Sequence, residues 1–279
     1  MSRSSSLAYA IGLPILAQVL LQLGVRLFVA IAMLVHETTY ADALHRVATD
    51  PLPLGAAQLA ALAATIAFGA QLSGKDDVPR EALSLRPVNK TALALAVVLG
   101  LALQLPLVEL TTWVTDFVPA LAHDPAQDAM IREAVRIDSP LRALTVPFAV
   151  VFVAPVTEEL LFRGLILPRL RDRFGRASAI GASALLFGVF HLDPLAAVYA
   201  TVMGVVLGVV ADRARSVLPA IALHAGFNAL PVLLPTEIAA VPGFNVEETS
   251  HVAPWLVAAS AAVAAAALAG TWAAVRRAG

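Results

Sequence analysis

The sequence predicts an all-α polytopic membrane protein, with about eight transmembrane helices around a polar cavity inside the bilayer. Three observations predict it: composition, the spacing of apolar runs, and the distribution of basic residues. Of 279 residues, 59% are hydrophobic and 14% charged, whereas a soluble domain is typically about 45–50% apolar and about 25% charged. The mean hydropathy is +0.81. A bilayer-crossing helix needs roughly 20 apolar residues. Runs near that length recur at Leu7–Val35, Leu54–Leu72, Thr91–Thr115, Leu141–Leu167, Ala177–Phe190, Leu195–Ala211, Val217–Leu234 and Val252–Val275. The first is too long for a cleaved signal's apolar core and reads as a retained anchor. The fifth is short. Residues 126–137 are expected to form a short interfacial helix. With no repeat and no low-complexity tail, residues 1–279 read as a single membrane domain.

Orientation follows from arginine and lysine. With the N-terminus cytoplasmic, one side holds Arg3; Lys75, Arg80, Arg86 and Lys90; Arg169, Arg171, Arg173 and Arg176; Arg213 and Arg215; and Arg276 and Arg277. The other side holds only Arg46, Arg132, Arg136 and Arg142. The alternation keeps step with eight crossings and puts both termini in the cytoplasm. Arginine greatly outnumbers lysine and alanine is abundant, which suits a GC-rich bacterial genome and hence a bacterial inner membrane. The net charge of −1 gives no reason to expect a nucleic-acid partner. The absence of cysteine excludes disulfides, a thiol nucleophile and cysteine-borne lipid anchors.

Ionisable groups inside apolar spans are costly, so each marks a candidate site. In "TEELLFRG", Glu159 and Arg163 stand four apart on one helical face, in the order that favours an ion pair. Glu158 lies about 140° round the helix from Arg163. The pair can therefore neutralise Glu159 and leave Glu158 free to take a proton from water. A structural salt bridge is the plainer alternative. "LLFGVFHLDP" places His191 at the end of the fifth span, where an interfacial side chain is the plainer reading. "IALHAGFNAL" puts His224 and Asn228 on one face of the seventh. There they can aim donors at an oxyanion or a water, or simply hydrogen-bond a neighbouring helix. Water activation needs these residue types, and a transporter's proton or ion relay could use them as well.

The three patches match EExxxR, FxxxH and HxxxN, in the order found in the CPBP family of intramembrane proteases, also called the CAAX-protease or Abi family. The resemblance covers roughly residues 141–234, the motif-bearing core. It implies an intramembrane endopeptidase that cuts in or next to a membrane-associated segment. By position, Glu158 would activate the attacking water with His191 assisting, and His224 and Asn228 would stabilise the oxyanion. Glu159 and Arg163 would hold the helix and tune its charge. The implied partners are membrane lipid and a membrane-anchored or C-terminal-tail peptide. The family includes members described as zinc-dependent and as metal-independent, so one zinc held by Glu158, His191 and His224 is an open expectation. A non-catalytic binding or immunity protein is the alternative, as is a transporter; the latter predicts internal repeats, and none is seen.

One tension stands in this reading. His191 lies about 21 Å along its span, which puts it toward the far side from Glu158. Three other features have plain readings. Gly204–Gly208 is a small-xxx-small helix contact. Gln18, Gln22 and Arg26, four apart on the first span, are expected to line the cavity or, on the plainer reading, to hydrogen-bond a neighbouring helix. Glu109 sits near the outer interface.

Overall fold

The computed structural model describes residues 3–72, 83–236, 238–246 and 251–276. Lys75, Arg80, Arg277 and part of the acidic segment 236–250 lie outside them. Among the described residues, 84% are helical and no strand occurs. The long helices are α1 (Arg3–His36), α3 (Pro51–Leu72), α4 (Lys90–Phe117), α6 (Pro140–Phe174), α8 (Pro194–Ala214) and α10 (Pro254–Arg276), all long and apolar enough to cross a bilayer. Two apolar helices, α7 (Arg176–Phe190) and α9 (Leu218–Leu233), are shorter. At 1.5 Å per residue each is under about 25 Å long, less than the roughly 30 Å hydrocarbon core. Each predicted run holds a helix, and six of them have spanning length.

Local sequence explains where the helices begin. The side chains of Asn89, Asp124, Ser139 and Asp193 each accept a backbone N–H in the first turn of the helix that follows. The expected short helix over 126–137 is α5 (Pro125–Val135). A further helix, α2 (Tyr40–Thr49), was not expected; Thr39 caps it and bonds Asp42 three residues on. Arg142 secures these two connectors. Its guanidinium donates to the carbonyl of Thr49 at the end of α2 (3.0 Å) and to that of Ala134 in α5 (3.0 Å). Both are helix-end acceptors without an intrahelical donor.

Lipid is the outer solvent of this bundle. Along α1, Leu7, Ile11, Ile15, Val19, Leu23, Leu27 and Ile31 are exposed at four-residue intervals, while Tyr9, Leu13 and Ala17 face inward. The interior is built from α6 to α9, with Phe162 edge-on to Phe187 (5.2 Å between ring centroids) and to Phe190 (5.4 Å). Gly175, at φ 78°, makes the tight turn from α6 to α7. Gly204 and Gly208 let α8 approach Ala184 and Ile180 of α7, the packing role read from their spacing.

Helices α4 and α9 cross closely. A Cβ on Gly100 would overlap the Leu223 carbonyl, and one on Gly226 would overlap the Val97 carbonyl. Gly181 faces open space. Gly100→Ala should therefore destabilise the protein by about 3 kcal/mol, and Gly181→Ala should not lower stability. Thermal unfolding of the two variants in detergent checks this, and equal midpoints would contradict the crossing.

Candidate active site

Both glutamates sit on a short α-helical turn of α6, Ala154–Glu159, between two π-helical stretches, Phe148–Val153 and Leu160–Ile166. Prolines explain the wide turns. The Ala154 N–H bonds Ala149, five residues back, and Pro155 has no N–H to offer. The carbonyl of Val150 thus loses its helical donor. Asn228 supplies one instead, its side-chain N–H lying 2.9 Å from the Val150 oxygen. The second stretch repeats the device. Leu167 N–H reaches Phe162, and Pro168 follows.

The buried centre is an ion pair. Arg163 Nη1 donates to Glu159 Oε1 at 2.9 Å, with both side chains fully buried. Arg163 Nη2 donates to the Gly204 carbonyl at 3.0 Å, and its guanidinium lies 4.3 Å over the Phe187 ring. The same Glu159 oxygen meets His224 Nδ1 at 2.9 Å. A carboxylate paired with arginine only accepts, so this contact puts the imidazole proton on Nδ1. Nε2 then faces Glu158 Oε2 across 4.0 Å. That is too long for a hydrogen bond and is the span that one bridging water fills.

Glu158 is 8% exposed. It does not share the Arg163 pair, as its angular offset on the helix predicts. Its other oxygen accepts from Gln58 Nε2 of α3 at 2.8 Å. Gln58 was missed from sequence, where its only signal is a lone carboxamide in an apolar run. Gln18 of α1 donates to the Phe190 carbonyl, next to His191; its expected role as a contact to a neighbouring helix is what the fold uses.

The depth tension for His191 dissolves. The apolar run ends near Leu167, but α6 continues through "LPRLRDRF" to Phe174. Glu158 is therefore about 24 Å from the α6–α7 turn and His191 about 22 Å, so the hairpin sets them level. His191 does not touch either glutamate, because no carboxylate lies within 4.0 Å of it among the described residues. Its Nδ1 is 2.9 Å from the Phe187 carbonyl, and its ring stands edge-on to Phe187, as does that of His224. Leu192, immediately after it, is held at φ 56°, a left-handed conformation that costs a branched residue about 1–2 kcal/mol.

A zinc site is not assembled by these side chains. Among the described residues, no three His, Asp or Glu groups converge to hold a metal. His224 Nδ1 is taken by Glu159, and the 4.0 Å between Nε2 and Glu158 exceeds the roughly 3.4 Å separating two ligands of a tetrahedral zinc at about 2.0–2.1 Å.

Residues 140–230 match the family described as Rce1-like, type II CAAX prenyl endopeptidase Rce1-like. This segment carries all three motifs, and the match is consistent with the CPBP or CAAX-protease family. No curated protein and no solved structure gives a match.

The corner beyond His191 is tied down by charge. Asp193 accepts from Ala196 N–H (2.6 Å) and from Gln127 (3.0 Å), and it meets His123 Nε2 at 3.0 Å; Asp128 meets the other ring nitrogen at 3.0 Å. Burial works against the charged His123 ring, but the two carboxylates outweigh it and hold its pKa above the ordinary 6.5. Burial likewise opposes the Asp193 carboxylate, but its hydrogen bonds and His123 hold its pKa below the ordinary 3.8. A raised histidine stabilises fully below about pH 6.5 and loses that contribution as pH rises through its folded value. A depressed aspartate stabilises above about 3.8 and loses its contribution as pH falls through its folded value. The latch is thus strongest between about pH 4 and 6.5. Thermal stability should fall as pH rises from 6 to 9, and His123→Gln should flatten that slope. An unchanged slope in the variant would contradict the latch.

Proposed function

We propose that this protein is an intramembrane endopeptidase that hydrolyses a peptide bond in or next to a membrane-associated segment, with Glu158 activating the water. The observation that carries the reading is the 4.0 Å gap between Glu158 Oε2 and His224 Nε2, in a helical interior otherwise closed by apolar side chains. A water there donates one hydrogen bond to each group and leaves a lone pair for attack. Glu159 supports this by holding the His224 proton on the far nitrogen, and Arg163 balances the Glu159 charge. Gln58 orients Glu158.

Attack forms the C–O bond as Glu158 takes the water's proton. The oxyanion takes the second amide N–H of Asn228, one turn from His224. The C–N bond then breaks as Glu158 returns the proton to the leaving amine, giving a carboxylate and an amine. His191, level with Glu158, assists by closing on the water when substrate is bound; catalytic hydrogen bonds commonly tighten only in the loaded complex. The family match supports peptide-bond hydrolysis as the reaction class. The arginine-rich side is proposed to be cytoplasmic, in a bacterial inner membrane.

Glu158→Gln keeps the shape and the Gln58 contact but removes the base. In cells carrying an epitope-tagged candidate membrane tail, it should reduce cleavage by about 10²–10⁴-fold at unchanged protein level. Retained cleavage would contradict Glu158 as the base. No step above uses a metal, so a chelator added to purified enzyme should leave cleavage intact. Loss restored by zinc would overturn that part of the mechanism.

A further inference from the structure

The arginine-rich end of the bundle holds a cavity of about 560 Å³ among the ends of α6, α7, α8 and α10, within the usual size of a ligand pocket. Asp212, its side chain only 6% exposed, binds Arg171 and Arg176 at 2.7 Å each. One carboxylate thus serves two guanidinium groups and leaves one positive charge over. Three further arginines line the same cavity, Arg213, Arg215 and Arg276. None of these three has a carboxylate within 4.0 Å among the described residues. Cations scattered over a cytoplasmic face are ordinary, but cations converging on a walled cavity repel one another unless an anion enters.

Two independent features point to the depth and nature of that anion. Trp272 lines the cavity beneath Arg213, whose guanidinium lies 4.1 Å over its ring, and its buried indole N–H has no hydrogen-bond partner. Tryptophan favours the headgroup level of a membrane. Arg215 ends α8 at φ 48°, where glycine or asparagine is the usual choice. Such strain marks a residue kept for its side chain.

We propose that this cavity is a phosphate site, occupied by the headgroup of an anionic phospholipid from the adjoining leaflet. Guanidinium groups pair bidentately with phosphate oxygens, and basic pockets between helix ends suit anionic headgroups. A choline headgroup would bring a cation toward this wall of arginines, so a zwitterionic lipid is disfavoured. The site is separate from the glutamate–histidine centre, and its test reads lipid binding, not cleavage.

The experiment is native mass spectrometry of the full chain with phosphatidylglycerol or phosphatidylcholine of the same acyl chains, with inorganic phosphate as competitor. The wild type should retain phosphatidylglycerol preferentially. Arg213→Gln/Arg215→Gln/Arg276→Gln should lose about a hundredfold in affinity, at about fivefold per arginine. Arg276→Gln alone, near the end of α10 and no threat to folding, should lose about fivefold. Arg132→Gln, in α5, should lose nothing. Equal retention of the two lipids, or wild-type binding by the triple variant, would overturn the site. Phosphate binding at millimolar concentration that persists where phosphatidylglycerol does not compete would overturn lipid as its source.

Discussion

The buried pair of Glu159 and Arg163 is the constraint on which the centre of this protein depends. Both side chains are fully enclosed, so each charge must find its partners inside the bundle. Those partners belong to other helices: the Gly204 carbonyl on α8, the Phe187 ring on α7 and His224 on α9. One ion pair thus fixes four helices relative to one another. Removing either partner would strand the other charge, a loss of about 3–5 kcal/mol. The arrangement is not fully satisfied, since Glu159 Oε2 and Arg163 Nε have no partner. Such residual cost is expected where a polar cluster is kept for chemistry.

The helix that carries the pair is shaped by its prolines. Pro155 and Pro168 withhold donors where the backbone is already wound to five-residue bonding. The first of these openings is closed by Asn228. That residue therefore has two tasks, stitching α9 to α6 and leaving one amide proton directed by the stitch. Such π-bulges recur at functional sites because they turn side chains to places a regular helix cannot reach.

Much of this was legible in sequence. Hydropathy located every long helix, since the bilayer demands unbroken apolar length. The spacing of Glu159 and Arg163 gave their pairing, because four residues are one turn whatever surrounds them. Other features were not legible, for physical reasons. Apolar counting marks where lipid ends and not where the helix ends, so it stopped α6 at Leu167 and put His191 at the wrong depth. Helix α2 lacks an apolar run; its Thr39–Asp42 capping pair was the available signal. Gln58 and the link from Glu159 to His224 depend on which helices pack together, which no local pattern encodes.

The central claim is that Glu159 fixes the proton of His224 on Nδ1, so that Nε2 faces Glu158. Nitrogen-15 NMR of histidine-labelled protein in lipid nanodiscs, with the His224 signal identified by its loss in His224→Gln, reads that proton directly. The account predicts the Nδ1–H form. A signal from the Nε2–H form would contradict it.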